Sequence, residues 1–433
     1  MSPELIGVLG FVALVALLAL RVPVGIAMIA VSVVCYSIVV SPDAALARLG
    51  SDAFSGTASY SLSVIPLFIL MGLILAQAAI GRDLYLFLDA VLWRIRGGLA
   101  LATVGAAGLF GSVSGSASAS ASTMSLVAMP EMRRYGYDEG FGAACVAVGG
   151  TLGILIPPSA PLVLYGILTE EPIGALLIGG IVPGIMTTIL LMITAYILVR
   201  LRPQLSPQVG RRRDDSSLLA LLAKIWSVPA IFGLSMGGIY LGVFTPTEAG
   251  AVGAFLAVGY SVASRRLTWG TLVEGISQTV RLSAMIFLIV IAGRMFGFFL
   301  SATGIPRALG TFITGLEIAP WMVAALILVA YFILGALMDE IAILVIMTPI
   351  MYPIVTTLGY DGVWFGVLTI MMLLTGLLTP PVGIISFIVS RVADVPLERV
   401  FRSVAPFWIS LVIAALLVIA FPSIVLVLPG LMG

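Results

Sequence analysis

Two distant stretches of this chain repeat one frame. Gly136-Tyr137-Asp138 recurs as Gly359-Tyr360-Asp361, and Pro157-Pro158 recurs as Pro380-Pro381; residue 360 less residue 137 gives an offset of 223. Pro23 and Pro246, and Pro130 and Pro353, keep that offset. The chain is therefore an internal duplication, and its fold must be built from two related halves. In each half a run of Gly, Thr and Pro interrupts an apolar stretch: Gly149 to Pro158 in the first, Thr375 to Gly383 in the second. Paired interruptions in a duplicated apolar chain are the pattern of a secondary transporter, with the ligand expected at the interruptions.

The medium follows from composition. Apolar residues make up 61% of the chain and charged residues 9%, against about 45–50% and about 25% in soluble domains. This is an integral membrane protein, and spans of roughly 20 residues must be helices, because an open strand edge in lipid strands its backbone polar groups. The expected fold class is all-α. A net charge of +1 without a basic, aromatic-interleaved patch argues against a nucleic-acid partner. With no histidine in the chain, His-based zinc sites, Ser-His-Asp hydrolysis and His proton relays are excluded, and no enzymatic activity is expected. Cys35 and Cys145 lie in expected spans and read as packing residues. The first apolar run, Leu5 to Leu20, ends at Arg21 and reads as a retained span.

Ten spans are expected, at 4–20, 25–40, 63–80, 141–167, 173–199, 225–244, 248–264, 282–303, 363–390 and 404–428. Two further apolar stretches, 99–130 and 320–356, read as re-entrant hairpins one and two. The units are a first repeat (1–200), a cytoplasmic linker (201–224, polar as far as Ser217) and a second repeat (225–433). Five crossings per repeat make the halves inverted. With the N-terminus outside, 18 of the 21 Lys and Arg fall inside, Arg48 and Arg307 outside, and Arg294 mid-span, as expected from the cytoplasmic bias of basic loops. Both termini are then periplasmic. Hairpin one enters from the cytoplasm and hairpin two from outside.

Hairpin one carries Gly111 to Ser122, with six serines and two glycines. Hydroxyls and freed carbonyls of an unwound tip supply hard oxygen ligands for Na⁺. Ser112, Ser114 and Ser116 are the candidates there; small-residue packing competes, and is favoured for Ser118 to Ser122. Two glycines and two prolines should break 141–167 and free carbonyls four residues upstream. Gly150, Thr151, Gly153, Pro157 and Pro158 are the candidates in that break, and Thr375, Thr379, Pro380 and Pro381 in its mate. Gly335 and Asp339 mark the turn of hairpin two, Asp339 aligning with Ser116. A mid-membrane charge costs roughly 2.5–3.5 kcal/mol, so Asp339 is a cation or gating candidate, or else a helix cap with Glu340 beside it at the water boundary. Arg294 pairs either with a substrate carboxylate or with an internal acid such as Asp339. Thr245-Pro-Thr-Glu248 reads as a capping box.

Gly-Tyr-Asp followed by Gly149 to Ser159, then Phe244 to Ala249, then Leu378 to Gly383, resembles the large membrane subunit of tripartite ATP-independent periplasmic (TRAP) transporters over nearly the whole chain. The resemblance implies Na⁺-coupled uptake of an organic acid across a bacterial inner membrane by an elevator-type movement. It implies a small four-helix membrane subunit and a periplasmic substrate-binding protein as partners, Na⁺ as coupling ion and no other cofactor or metal. Carried over, one cation site falls on Ser114, Ser116, Gly150 and Gly153, and the other on Gly335, Thr375 and Thr379. The alternative is a stand-alone ion-coupled carrier of organic anions.

Overall fold

In a computed structural model, which describes residues 2–206, 218–305, 308, 311 and 319–432, all regular structure among the described residues is helical. Arg211 to Arg213, Arg307 and residues 207–217 of the expected linker lie outside them. The part of the linker that is described ends in a helix, Leu218–Ile225. It is bent by 41° against Ser227–Tyr240.

The repeated motifs act as punctuation. Gly136 and Gly359 take the left-handed backbone (φ 71° and 85°) that ends the preceding helix, where a Cβ would be strained. Asp138 and Asp361 then cap the next helices, accepting the Phe141 and Trp364 amides at 2.8 and 2.9 Å. Thr245 and Glu248 form the reciprocal capping box read from sequence. Helix bounds keep the offset of 223: Ala117–Arg134 falls on Glu340–Thr357 residue for residue.

Five helices among the described residues are long and apolar enough to cross a bilayer, or six with the bent pair counted. The other expected spans are built from apolar helices of 10–17 residues, except 248–264, which is the 18-residue helix Pro246–Ala263. The first broken span consists of Glu139–Thr151, a 3-10 turn and Ala160–Thr169, the second of Gly362–Gly376 and Ile384–Ala393. The last span ends at Ala420 and a separate helix, Ser423–Gly430, follows. Two helices were not anticipated, Pro42–Thr57 and Ile80–Leu92. The mate of the first differs instructively. Pro42–Thr57, a 3-10 turn and Val64–Gln77 correspond in the second half to one continuous helix, Trp269–Thr303.

Hairpin one is Gly98–Ser114 with Ala117–Arg134, and hairpin two is Pro320–Gly335 with Glu340–Thr357. Arms of hairpin one run antiparallel, Ser120 Oγ donating to Ala107 O at 2.9 Å while Thr103 Oγ1 lies 3.5 Å from Met132 Sδ. The first arm of each hairpin packs on the first half of its own repeat's broken helix. The second arm packs on the second half of the other repeat's broken helix. These crossed contacts end in polar clamps: Arg133 donates to Ala393 O, and the Tyr352 hydroxyl to Glu171. Hairpins and broken helices thereby form one interlocked unit. Around it, Val64–Gln77 packs on Pro246–Ala263 and Trp269–Thr303 on Val24–Val39.

One ion pair fastens the second of the unanticipated helices. Asp83 is buried and pairs with Arg266, whose guanidinium also donates to Ala78 O at 3.0 Å. Removing one partner of a buried pair leaves the other charge stranded. Arg266→Ala is expected to destabilise the chain by about 3 kcal/mol, the lower end of that range because the guanidinium is partly exposed. Asp83→Asn combined with Arg266→Ala should recover part of the loss. Thermal unfolding in detergent checks both, and equal melting of wild type and Arg266→Ala would remove the pair from the account.

Candidate cation and substrate site

At the tip of hairpin one, Gly115 (φ 62°) turns the chain and Ser116 caps the returning arm. Glycines let this tip settle directly on the first helix break. A Cβ on Gly111 would sit 2.7 Å from Gly153 Cα, and one on Gly153 would sit 3.1 Å from Ser116 O. A Cβ on Gly115 would sit 2.8 Å from Pro158 O. Ser114 Oγ lies 3.4 Å from both Gly111 O and Ser116 O. Ser114, Ser116 and Gly153 are thus brought together, and Gly150 stands one turn away against the Ala121 backbone. Thr151 is buried and donates to Val148 O at 2.9 Å within its own helix.

The carbonyls freed by Pro157 and Pro158 fare differently. Ile154 O is recaptured by the Ser159 hydroxyl. Gly153 O would take its helical hydrogen bond from residue 157, a proline without an N–H. Gly153 is packed against the serine tip, and its freed oxygen is a hard ligand of the kind an alkali cation takes.

Hairpin two repeats the arrangement. A Cβ on Gly335 would lie 3.2 Å from Gly376 Cα, and one on Gly376 would lie 2.6 Å from Phe332 O. Ala336 O accepts the Val382 and Gly383 amides at 3.2 and 3.3 Å, stitching tip to break. Thr375 donates to Met371 O at 2.9 Å and Thr379 to Thr375 O at 2.8 Å, which leaves the lone pairs of both hydroxyls available. Gly335, Thr375 and Thr379 therefore share one locus. Gly111 and Gly376, which make the closest backbone approaches, were absent from the candidates read from sequence; their position opposite an interruption was the available signal.

The two tips differ in access. Ser112, Pro157 and Pro158 are buried, whereas Pro380, Pro381 and Asp339 are exposed. Asp339 acts as a helix cap, its Oδ1 accepting the Ile341 amide at 3.0 Å. Glu340 is not at the water boundary as expected: its side chain is buried and Oε2 lacks a hydrogen-bond partner. The physical reason is helix phase, since consecutive residues of an opening helix point about 100° apart. The pair Arg294–Asp339 does not form, and among the described residues Arg294 makes no ion pair or hydrogen bond. It is half-buried beside Gly293, whose Cβ position lies 2.6 Å from Val345 of hairpin two.

Known proteins resemble this chain. The profile of the family described as "Tripartite ATP-independent periplasmic transporter, DctM component" matches residues 11–424. The chain is 34% identical to the C4-dicarboxylate TRAP transporter large permease protein DctM of Pseudomonas aeruginosa, covering 91% of each. It is 31% identical to the sialic acid TRAP transporter large permease protein SiaM of Vibrio cholerae, covering 96% of each. Among solved structures, the YdaH transporter of Alcanivorax borkumensis has a similar fold, with a TM-score of 0.63 at 14% identity over 88% of this chain and 90% of that one. With a family profile spanning nearly its whole length and relatives above 30% identity over nearly all of it, this chain belongs to the DctM component family, the large permeases of tripartite ATP-independent periplasmic transporters.

Proposed function

We propose that this chain is the permease of a Na⁺-coupled, binding-protein-dependent uptake system for an organic acid, working by an elevator-type displacement across a bacterial inner membrane. The reading rests on one observation made twice, a hairpin tip seated by glycine contact on a helix break. Ser114, Ser116, Gly150 and Gly153 would hold one Na⁺, and Gly335, Thr375 and Thr379 another, with no further cofactor. Such sites use hydroxyl and carbonyl oxygens rather than carboxylates, and the fold brings them together only when tip and break meet. An anionic substrate fits between the tips, where Ser112, Thr151 and the paired prolines border the breaks. Arg294 supplies the positive charge on the adjoining long helix. Related permeases named for C4-dicarboxylates and sialic acid support a carboxylate as the cargo.

Unequal seating of the hairpins supports displacement of the interlocked unit. The tip of hairpin one lies level with Gly72, the Cβ position of which is 2.8 Å from Val113 O. Met295 is the mate of Gly72 at the offset of 223. Around it, Gly293 faces Val345 and Gly297 faces Pro349, well past the tip of hairpin two. At 1.5 Å per helical residue, the tips differ in depth by about 10 Å. Inverted repeats give this asymmetry when one rigid unit shifts along the membrane normal, since one hairpin withdraws as the other advances. With the N-terminus periplasmic the shift is toward the cytoplasm. Two cations carried with a monoanion leave one net charge, driven by about 2.3 kcal/mol per 100 mV. A binding protein would deliver the substrate from outside, and a small four-helix subunit would brace the outer helices.

Uptake into proteoliposomes holding this chain and its small subunit should require both an inward Na⁺ gradient and the binding protein outside. Uptake persisting without Na⁺ would overturn the coupling, and persistence without the binding protein would favour a stand-alone carrier. Thr375→Ala should raise the half-saturating Na⁺ concentration on the order of tenfold, the loss of one favourable contact of ~1.4 kcal/mol. Arg294→Ala, if the guanidinium meets a carboxylate, should raise the KM for substrate at least ~10-fold and leave the Na⁺ dependence in place. An unchanged KM would take Arg294 out of the site.

A further inference from the structure

Hairpin two carries a carboxylate that nothing above employs. Asp339 already caps the helix Glu340–Thr357 and faces outward. Glu340 occupies the first helical position, where its side chain cannot serve the capping role that falls to the third residue. It is 5% exposed, and Oε2 has no hydrogen-bond partner. Hairpin one has no counterpart, because the residue at the offset of 223 is Ala117, itself fully buried. The acid is therefore an addition to one repeat.

The surroundings offer it no resident cation. Helices Ala160–Thr169, Trp269–Thr303, Pro320–Gly335 and Gly362–Gly376 pack against its own. On the first, Tyr165 gives its hydroxyl to Gly362 O; on the third, Tyr331 is engaged with Thr348. The fourth carries no titratable residue. Trp269–Thr303 carries Glu274, Arg281 and Arg294, and it meets the hairpin arm at Gly293 and Gly297, closest to Arg294. No ion pair joins Arg294 to Glu340 among the described residues, and Asp339 next door adds charge of the same sign. An ionised carboxylate held this way in a membrane protein is strongly disfavoured unless a cation joins it.

We propose that Glu340 is an additional cation-binding group of hairpin two, taking up one monovalent cation, H⁺ or Na⁺, that travels with the substrate. This rests on the transport reading above. Each cycle would then move one elementary charge more than the hydroxyl and carbonyl sites alone provide, in a chain whose first repeat cannot match it.

The test is the charge moved per substrate molecule, recorded as current together with flux in the same proteoliposomes. Glu340→Gln keeps shape and volume while removing the anionic site. It is expected to lower the ratio by one elementary charge, with uptake still dependent on Na⁺ and on the binding protein. If the lost charge is a proton, the wild type acidifies the lumen and the variant does not. If it is sodium, the variant takes up one fewer Na⁺ per substrate. An unchanged ratio would overturn the proposal while the wild-type requirements stand, whereas loss of those requirements in the wild type would sink the transport reading instead. Should Glu340→Gln not transport, Na⁺-dependent thermal stabilisation of the two purified chains across a pH series decides. Different Na⁺ midpoints or pH dependences support the site, and superimposable curves reject it.

Discussion

A backbone that breaks inside the membrane must satisfy its polar groups without water, and the rest of this structure follows from how that is done. Each break is closed by a hairpin tip, and glycine on both sides lets main chain touch main chain. Most freed groups are recovered locally. Thr379 N bonds Gly376 O at 2.8 Å, Ile385 N bonds Leu377 O at 3.1 Å, and the Ser159 and Ser386 hydroxyls reach Ile154 O and Leu378 O. What remains, Gly153 O and the serine and threonine lone pairs, is polar surface at the two points where tip and break meet. The proposed cation sites lie there because the broken backbone is left unfinished at those two points.

The closure also explains how the unit can be both broken and rigid. Neither hairpin depends on its own repeat alone, since its second arm lies on the other repeat's broken helix. The surrounding helices meet their partners through separate contacts, Val64–Gln77 with Pro246–Ala263 and Trp269–Thr303 with Val24–Val39. Small residues line these contacts: a Cβ on Gly250 would lie 3.1 Å from Leu67, and one on Gly25 would lie 3.1 Å from Leu288. Close helix approach is the usual way apolar helices associate in lipid. The symmetry is incomplete where the first half bends at its 3-10 turn, Tyr60–Ser63, and the second half runs straight through.

Much of this was legible in the sequence because the duplication supplied an internal standard. A proline pair alone marks a kink; the same pair again at the offset of 223, each time after Thr and Gly, marks two related sites. Helix ends were legible wherever chemistry fixes them, as at Thr245-Pro-Thr-Glu248. The short helices Pro42–Thr57 and Ile80–Leu92 escaped because they are too short or too polar to read as spans. Glu340 was expected at the water boundary and is buried instead, since neighbouring acids at a helix start differ in which way the first turn points them. That phase is set by packing, and packing is not written in residue spacing. Arg294 was visible as a charge in an apolar run, but whether an internal acid answers it depends on the depth of hairpin two.

The crossed clamps bear on how the chain is made. Arg133 and its acceptor Ala393 are separated by 260 residues, and Glu171 and Tyr352 by 181. A ribosome delivers chain at about 5–20 residues per second, so hairpin one is in the membrane for many seconds before the helix that secures its second arm exists. Throughout that interval its serine-rich tip can rest on the first break, but its base has no acceptor. The first half alone is therefore an unfinished domain rather than half of a finished one, and assembly of the interlocked unit waits for the last third of synthesis.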